Sequence, residues 1–114
     1  MLRVRILLAA LAVALAVVTP AVAHRGATTV FVKAKEFSFT LSTKSVRKGT
    51  VTFSVTNAGK LAHDFKIAGV KTPTINPGKK ASLVVKFAKA GKFPYKCTID
   101  GHAAAGMKGT LTVK

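Results

Sequence analysis

The sequence predicts an all-β domain, a Greek-key arrangement of two packed sheets that forms a sandwich or a small barrel. Three observations carry that expectation. Apolar residues recur with a period of two instead of the helical period of about 3.6. Turn-forming glycines and prolines separate the alternating runs. The apolar fraction is 49% over 114 residues, enough for one small core and too high for a disordered basic tail.

Residues 1–23 stand apart from that pattern. Arg3 and Arg5 precede an unbroken apolar run of 13 residues, Ile6 to Val18. Pro20 breaks a helix, and Ala21-Val22-Ala23 has the small-x-small form that precedes a processing cut. The run is too short for an ordinary membrane-spanning helix. The expectation is a secretory signal over 1–23 and one domain over 24–114, working in a periplasm, cell wall or extracellular space. An uncleaved anchor is the alternative. Removing Arg3 and Arg5 takes the formal charge from +16 to +14.

The strands follow in order. Val30 and Val32 open a loose first strand that ends near Lys35. Phe37, Phe39 and Leu41 alternate with Ser38, Thr40 and Ser42, and Val51, Phe53 and Val55 with Thr52, Ser54 and Thr56. Leu83, Val85 and Phe87 alternate with Val84, Lys86 and Ala88, and Leu111 and Val113 with Thr110, Thr112 and Lys114. Turns are expected at Arg47-Lys48-Gly49, Asn57-Ala58-Gly59, Asn76-Pro77-Gly78 and Ala90-Gly91-Lys92. Ala68 to Pro77 shows no alternation and reads as loop.

Two parities bring unusual residues inward. Leu61, His63, Phe65 and Ile67 share one face, and Phe93, Tyr95 and Cys97 share another. With their apolar members turned to the core, His63 and Cys97 face the same interior. Cys97 is the only cysteine, which excludes an internal disulfide and any site built from several thiolates. In an oxidising compartment a lone thiol needs burial, modification or a metal to protect it. Downstream, four residues separate Cys97 from His102, and four more separate His102 from Met107. Gly101 and Gly106 each precede one of these side chains, where a turn must aim it. A loop of this length between two strands can gather all three. One thiolate, two imidazoles and a thioether form a soft donor set that selects copper over zinc, which prefers four strong donors, and over iron–sulfur clusters.

On these residues the chain resembles the cupredoxins, the small blue copper proteins. The matching text is Gly49 to Gly59, then His63-Asp64-Phe65, Pro77-Gly78, and Tyr95-Lys96-Cys97 through Gly109. The C-x4-H-x4-M spacing is most like the rusticyanin, sulfocyanin and auracyanin type. The resemblance implies copper ligands at His63, Cys97, His102 and Met107, one type 1 ion, and a one-electron carrier cycling between Cu(I) and Cu(II). It also implies that the amide after His63 bonds the copper-bound sulfur. Asp64 stands there, where many cupredoxins have Asn. A periplasmic copper carrier or resistance factor is the alternative function.

Asp64 and Asp100 are the carboxylates expected near the ligands, neither paired with a catalytic group, so no enzyme is expected. His24 offers a second copper chelate only if another histidine joins it, and the other two are engaged. The many lysines read as solvated surface. An exported chain without an aromatic-interleaved basic motif is not a nucleic-acid binder. The expected partners are redox proteins with acidic docking surfaces, or an anionic envelope surface, met by a monomer. His102 is the expected electron port, within the small residues Ala103 to Gly106, with Lys96 and Lys108 orienting the partner.

Overall fold

A computed structural model describes residues 27–114, so the expected signal over 1–23 and His24 lie outside the described residues. The alternating runs become strands β1 (Ala27–Lys35), β2 (Ser38–Leu41), β3 (Ser45–Val46), β4 (Gly49–Asn57), β5 (Lys66–Ile67), β6 (Val70–Lys71), β7 (Lys80–Phe87), β8 (Gly91–Lys96) and β9 (Lys108–Val113). They form two sheets, ordered β2-β1-β4-β7 and β3-β9-β8-β5-β6. The chain crosses between the sheets five times, and among the described residues there is no helix. This is the two-sheet all-β sandwich the alternation predicts.

Register puts like with like on the inner faces. Along the parallel pair β1–β4, Val30 lies opposite Phe53 and Val32 opposite Val55. Across β4–β7, Val51 meets Val85 and Phe53 meets Leu83. In the second sheet Phe93 meets Leu111, and Ile67 meets Tyr95. Phe65 sits between the sheets, fully buried, with its ring centroid 5.2 Å from those of Phe39 and Phe53. Such centroid spacings are those of favourable aromatic pairs, which add to the area they bury.

The parity reading lapses at strand ends. Phe37 is 39% exposed and Leu61 46% exposed, because both lie in turns outside the ladders, where side chains no longer alternate. The segment read as loop, Ala68 to Pro77, is more ordered than expected. Ala68 and Gly69 both have positive φ, at 51° and 78°, and make the two-residue turn of the β5–β6 hairpin. Farther on, Ile75 bridges to His63. Two-residue strands are too short to show a period, which is why the sequence hides them.

Candidate metal centre

His63, Cys97 and His102 bring their donor atoms together at one end of the sandwich, and backbone bonds tie Met107 to Cys97 and His102 there. Cys97 directly follows β8 and keeps the inward parity of Tyr95, so its thiol is buried. Its amide donates to the Met107 carbonyl at 3.1 Å, which closes the loop between β8 and β9. Inside that loop the His102 amide donates to Ile99 O, and the Met107 amide to His102 O, both at 3.1 Å. Gly101 at φ 79° and Gly106 at φ 114° supply the left-handed bends that turn the two following side chains inward. Both glycines do what their positions suggest.

His63 is held from another direction. Its amide and carbonyl exchange bonds with Ile75 at 3.1 and 2.7 Å. The buried Asn57 braces the approach, donating from Nδ2 to Leu61 O at 2.7 Å and to Ile75 O at 2.8 Å while its Oδ1 accepts from the Gly59 amide. A buried amide with these bonds made is a rigid strut; with them broken it is a cost. The sequence marks Asn57 as a turn residue and gives no sign of this bracing role.

The donor atoms converge. His63 Nδ1 and His102 Nδ1 are 3.1 Å apart, and Cys97 Sγ lies 4.0 Å from the first and 3.6 Å from the second. Among the described residues these three side chains are the cluster fit to hold a metal, with all donor atoms within 4.8 Å of one another. Met107 is fully buried at the same end. Burial pushes the Cys97 thiol up, against the Asp64 and Ile99 amides, which lower it. The Asp64 amide points at Cys97 Sγ from 3.5 Å, as the resemblance implies. The Asp64 carboxylate, whose task the sequence left open, accepts from the Thr98 amide at 2.6 Å and from the Thr98 hydroxyl. It clamps the residue after Cys97.

One carboxylate near the site was not foreseen. Glu36, in the turn between β1 and β2, places Oε1 3.1 Å from His63 Nε2. The same oxygen accepts from the amides of Lys60 and Leu61, each at 2.7 Å. The Leu61 amide above all lowers the Glu36 carboxyl to about 2. Partial burial opposes this, and the Glu36 and Lys60 amides and His63 reinforce it. An ionised carboxylate only accepts, so His63 Nε2 carries the proton and Nδ1 is left for the cluster. The contact spans 27 residues and joins a turn to a loop, so no local pattern announces it. The one available signal is that Glu36 is among only 3 acidic residues in a chain with 19 basic ones.

The surroundings of His102 differ from those of His63. His63 is fully buried, whereas His102 is 8% exposed and bordered by the exposed Ala104, Ala105 and Gly106. Phe37, turned out of the core, sets its ring edge-on to His102 with centroids 5.1 Å apart. Chemically, two imidazoles and a thiolate in a buried trigonal cluster with a thioether nearby fit copper by donor softness.

Residues 7–113 match the cupredoxin-like domain. The copper-resistant cuproprotein CopI of Rubrivivax gelatinosus is 31% identical over 98 residues, 67% of this chain and 59% of that protein. The chain thus spans less than two thirds of that relative's length. Auracyanin A, a "blue" copper protein from the green thermophilic photosynthetic bacterium Chloroflexus aurantiacus, superposes with a TM-score of 0.65 at 19% identity, over 78% of this chain and all of that one. The blue copper oxidase of Nitrosomonas europaea gives a TM-score of 0.64 at 20% identity, over 77% of this chain and 39% of that one. At those identities the two structures establish a shared fold. A family match running through nearly the whole chain, on that fold, makes this protein a member of the cupredoxin-like family.

Proposed function

We propose that the protein carries single electrons on one copper ion, which His63 Nδ1, Cys97 Sγ and His102 Nδ1 would hold with Met107 as a weaker fourth donor. The observation that supports this best is the convergence of three buried donor atoms within 4.8 Å. Bound copper supplies the Cu(I)/Cu(II) couple. The chain's part is to hold the donors still. His63 is fixed by Ile75 and Glu36, Cys97 by Asp64 and the closure onto Met107, and His102 by its loop. Donors braced this way move little when the charge of the site changes, which suits electron transfer. Asp64 is engaged with Thr98 and Glu36 with two amides and His63, so neither is free to act as a general acid or base, and Asp100 is exposed on the ligand loop. That supports a carrier over an enzyme. The slightly exposed edge of His102 is the exit this reading favours. The charged and apolar run in residues 1–23 supports work in the cell envelope.

A second reading treats copper as cargo, and the 31% identity to a protein named for copper resistance favours it. One experiment separates the two. Cu(II) added to the protein is expected to give an intense thiolate-to-copper band that Cys97→Ser abolishes, together with a reversible one-electron wave. Binding unaffected by Cys97→Ser would sink the site. A band that forms but loses its copper on each reduction would favour cargo over carrier.

A further inference from the structure

The outer face of the five-stranded sheet carries a row of lysines that the fold does not need. Register sets Lys108 opposite Lys96, Lys96 opposite Lys66, and Lys66 opposite Lys71. The four therefore stand side by side across β9, β8, β5 and β6. Their chain neighbours Met107, Tyr95, Cys97, Ile67 and Thr72 are buried, so the pleat turns all four lysines outward. Lys71, Lys96 and Lys108 are exposed and Lys66 half-buried. With strands about 4.8 Å apart, the row runs for roughly 14 Å. Like charges set directly opposite destabilise a sheet. No carboxylate relieves these, since the ion pair among the described residues is that of Glu36 with His63.

A groove of about 720 Å³ lies along the row, lined in part by Lys66, Lys96 and Lys108 with Ala68, Pro94 and Thr110. It opens where β5 stops. Pairing of β5 with β8 ends at Tyr95, beside Pro94, which has no N–H to donate. The seat is also next to the metal centre, because Lys96 precedes Cys97 and Lys108 follows Met107.

We propose that this row and its groove seat an acidic segment of a redox partner protein, laid across the strands with its carboxylates against the four lysines. Charge complementarity supplies the attraction, and the Ala68 and Pro94 surfaces accept apolar side chains from the same segment. A concave groove suits a peptide segment better than a flat lipid surface. Naming the partner as a redox protein rests on the carrier reading above, whereas the seating can be measured apart from it.

The test uses the copper-loaded protein and a fluorescent peptide rich in glutamate and leucine, followed by anisotropy at low salt. Neutralising the row with Lys66→Gln, Lys71→Gln, Lys96→Gln and Lys108→Gln is expected to weaken binding by at least about tenfold. Neutralising Lys33, Lys35, Lys80 and Lys86 on the other sheet removes the same charge and is expected to cost much less. Equal losses from the two variants would overturn the proposal. So would amide shifts that centre on residues 102–105, instead of on Ala68 and Thr110, when the peptide is added to the unsubstituted protein. Row-dependent binding to phosphatidylglycerol vesicles without peptide binding would also overturn it and assign the row to a membrane. The row variant should keep its copper band. A peptide that docks on the row of a protein whose copper does not cycle leaves the seat standing and removes the carrier reading.

Discussion

At the scale of single residues, Glu36 does the most with the least sequence signal. One carboxylate oxygen joins two loop amides to His63 Nε2, so it shapes the loop and sets which imidazole nitrogen faces the cluster. Glu36→Gln keeps the volume and removes the charge. Partners of this kind change metal affinity by about 10–100-fold when lost. We expect a loss of Cu(II) affinity in that range by competitive titration, with a raised midpoint potential, because a nearby negative charge favours Cu(II). An unchanged potential would mean that Glu36 serves the loop alone. The copper-free protein offers a separate readout. The Glu36 carboxyl is lowered from 4.5 to about 2 by folding, so the unfolded chain takes up its proton first as pH falls. Its contribution is complete above about pH 4.5 and is lost as pH falls toward 2. Melting of Glu36→Gln is therefore expected to depend less on pH across that window than melting of the unsubstituted chain.

At the scale of elements, the β8–β9 hairpin shows why one glycine is fixed. Gly109 lies opposite Tyr95, and a Cβ placed on it would collide with the Tyr95 ring and hydroxyl. The collision is with a buried ring packed edge-on to Phe39 and beside Phe65. Gly109→Ala is expected to cost about 1–3 kcal/mol in urea unfolding through overpacking. Trimming the ring with Tyr95→Leu in the same chain should recover part of the loss. No recovery would mean that the cost is backbone, not contact. Legibility in the sequence followed element length. The eight- and nine-residue strands β7 and β4 alternate long enough to declare both period and inward face. The parity that brings in Cys97 is visible for the same reason along β8, whereas His63 lies outside the strands and is marked only by its apolar neighbours Phe65 and Ile67. The two-residue strands β3, β5 and β6 have no period to read. Phe37 and Leu61 escape the pattern because parity ends where the ladder does. Glu36 acts on segments reached only through the fold, and so does Asn57 in its bond to Ile75, so those roles emerge only from the folded structure.

At the scale of the whole molecule, charge is sorted. The chain has 3 acidic residues, and the Glu36 and Asp64 carboxylates are both turned to the metal centre. Asp100 is the one acid left exposed, on an exterior whose other charges are basic, almost all of them lysines. Such a surface speeds encounter with acidic partners and loses that advantage as salt screens it, over a Debye length of about 8 Å at physiological ionic strength. A different consequence follows from the parallel pairing of β1 with β4 and from a cluster in which His63 lies 34 residues from Cys97. The pocket that hides Cys97 exists only once both sheets have closed. Until then the thiol is open to oxidants, and in the purified protein, with no other thiol present, a chain with one cysteine can form a disulfide only with another copy of itself. Covalent dimer accumulating in an oxidant should therefore serve as a clock for global opening. Copper should slow that clock in proportion to how far it stabilises the closed fold, which non-reducing electrophoresis over time can read directly.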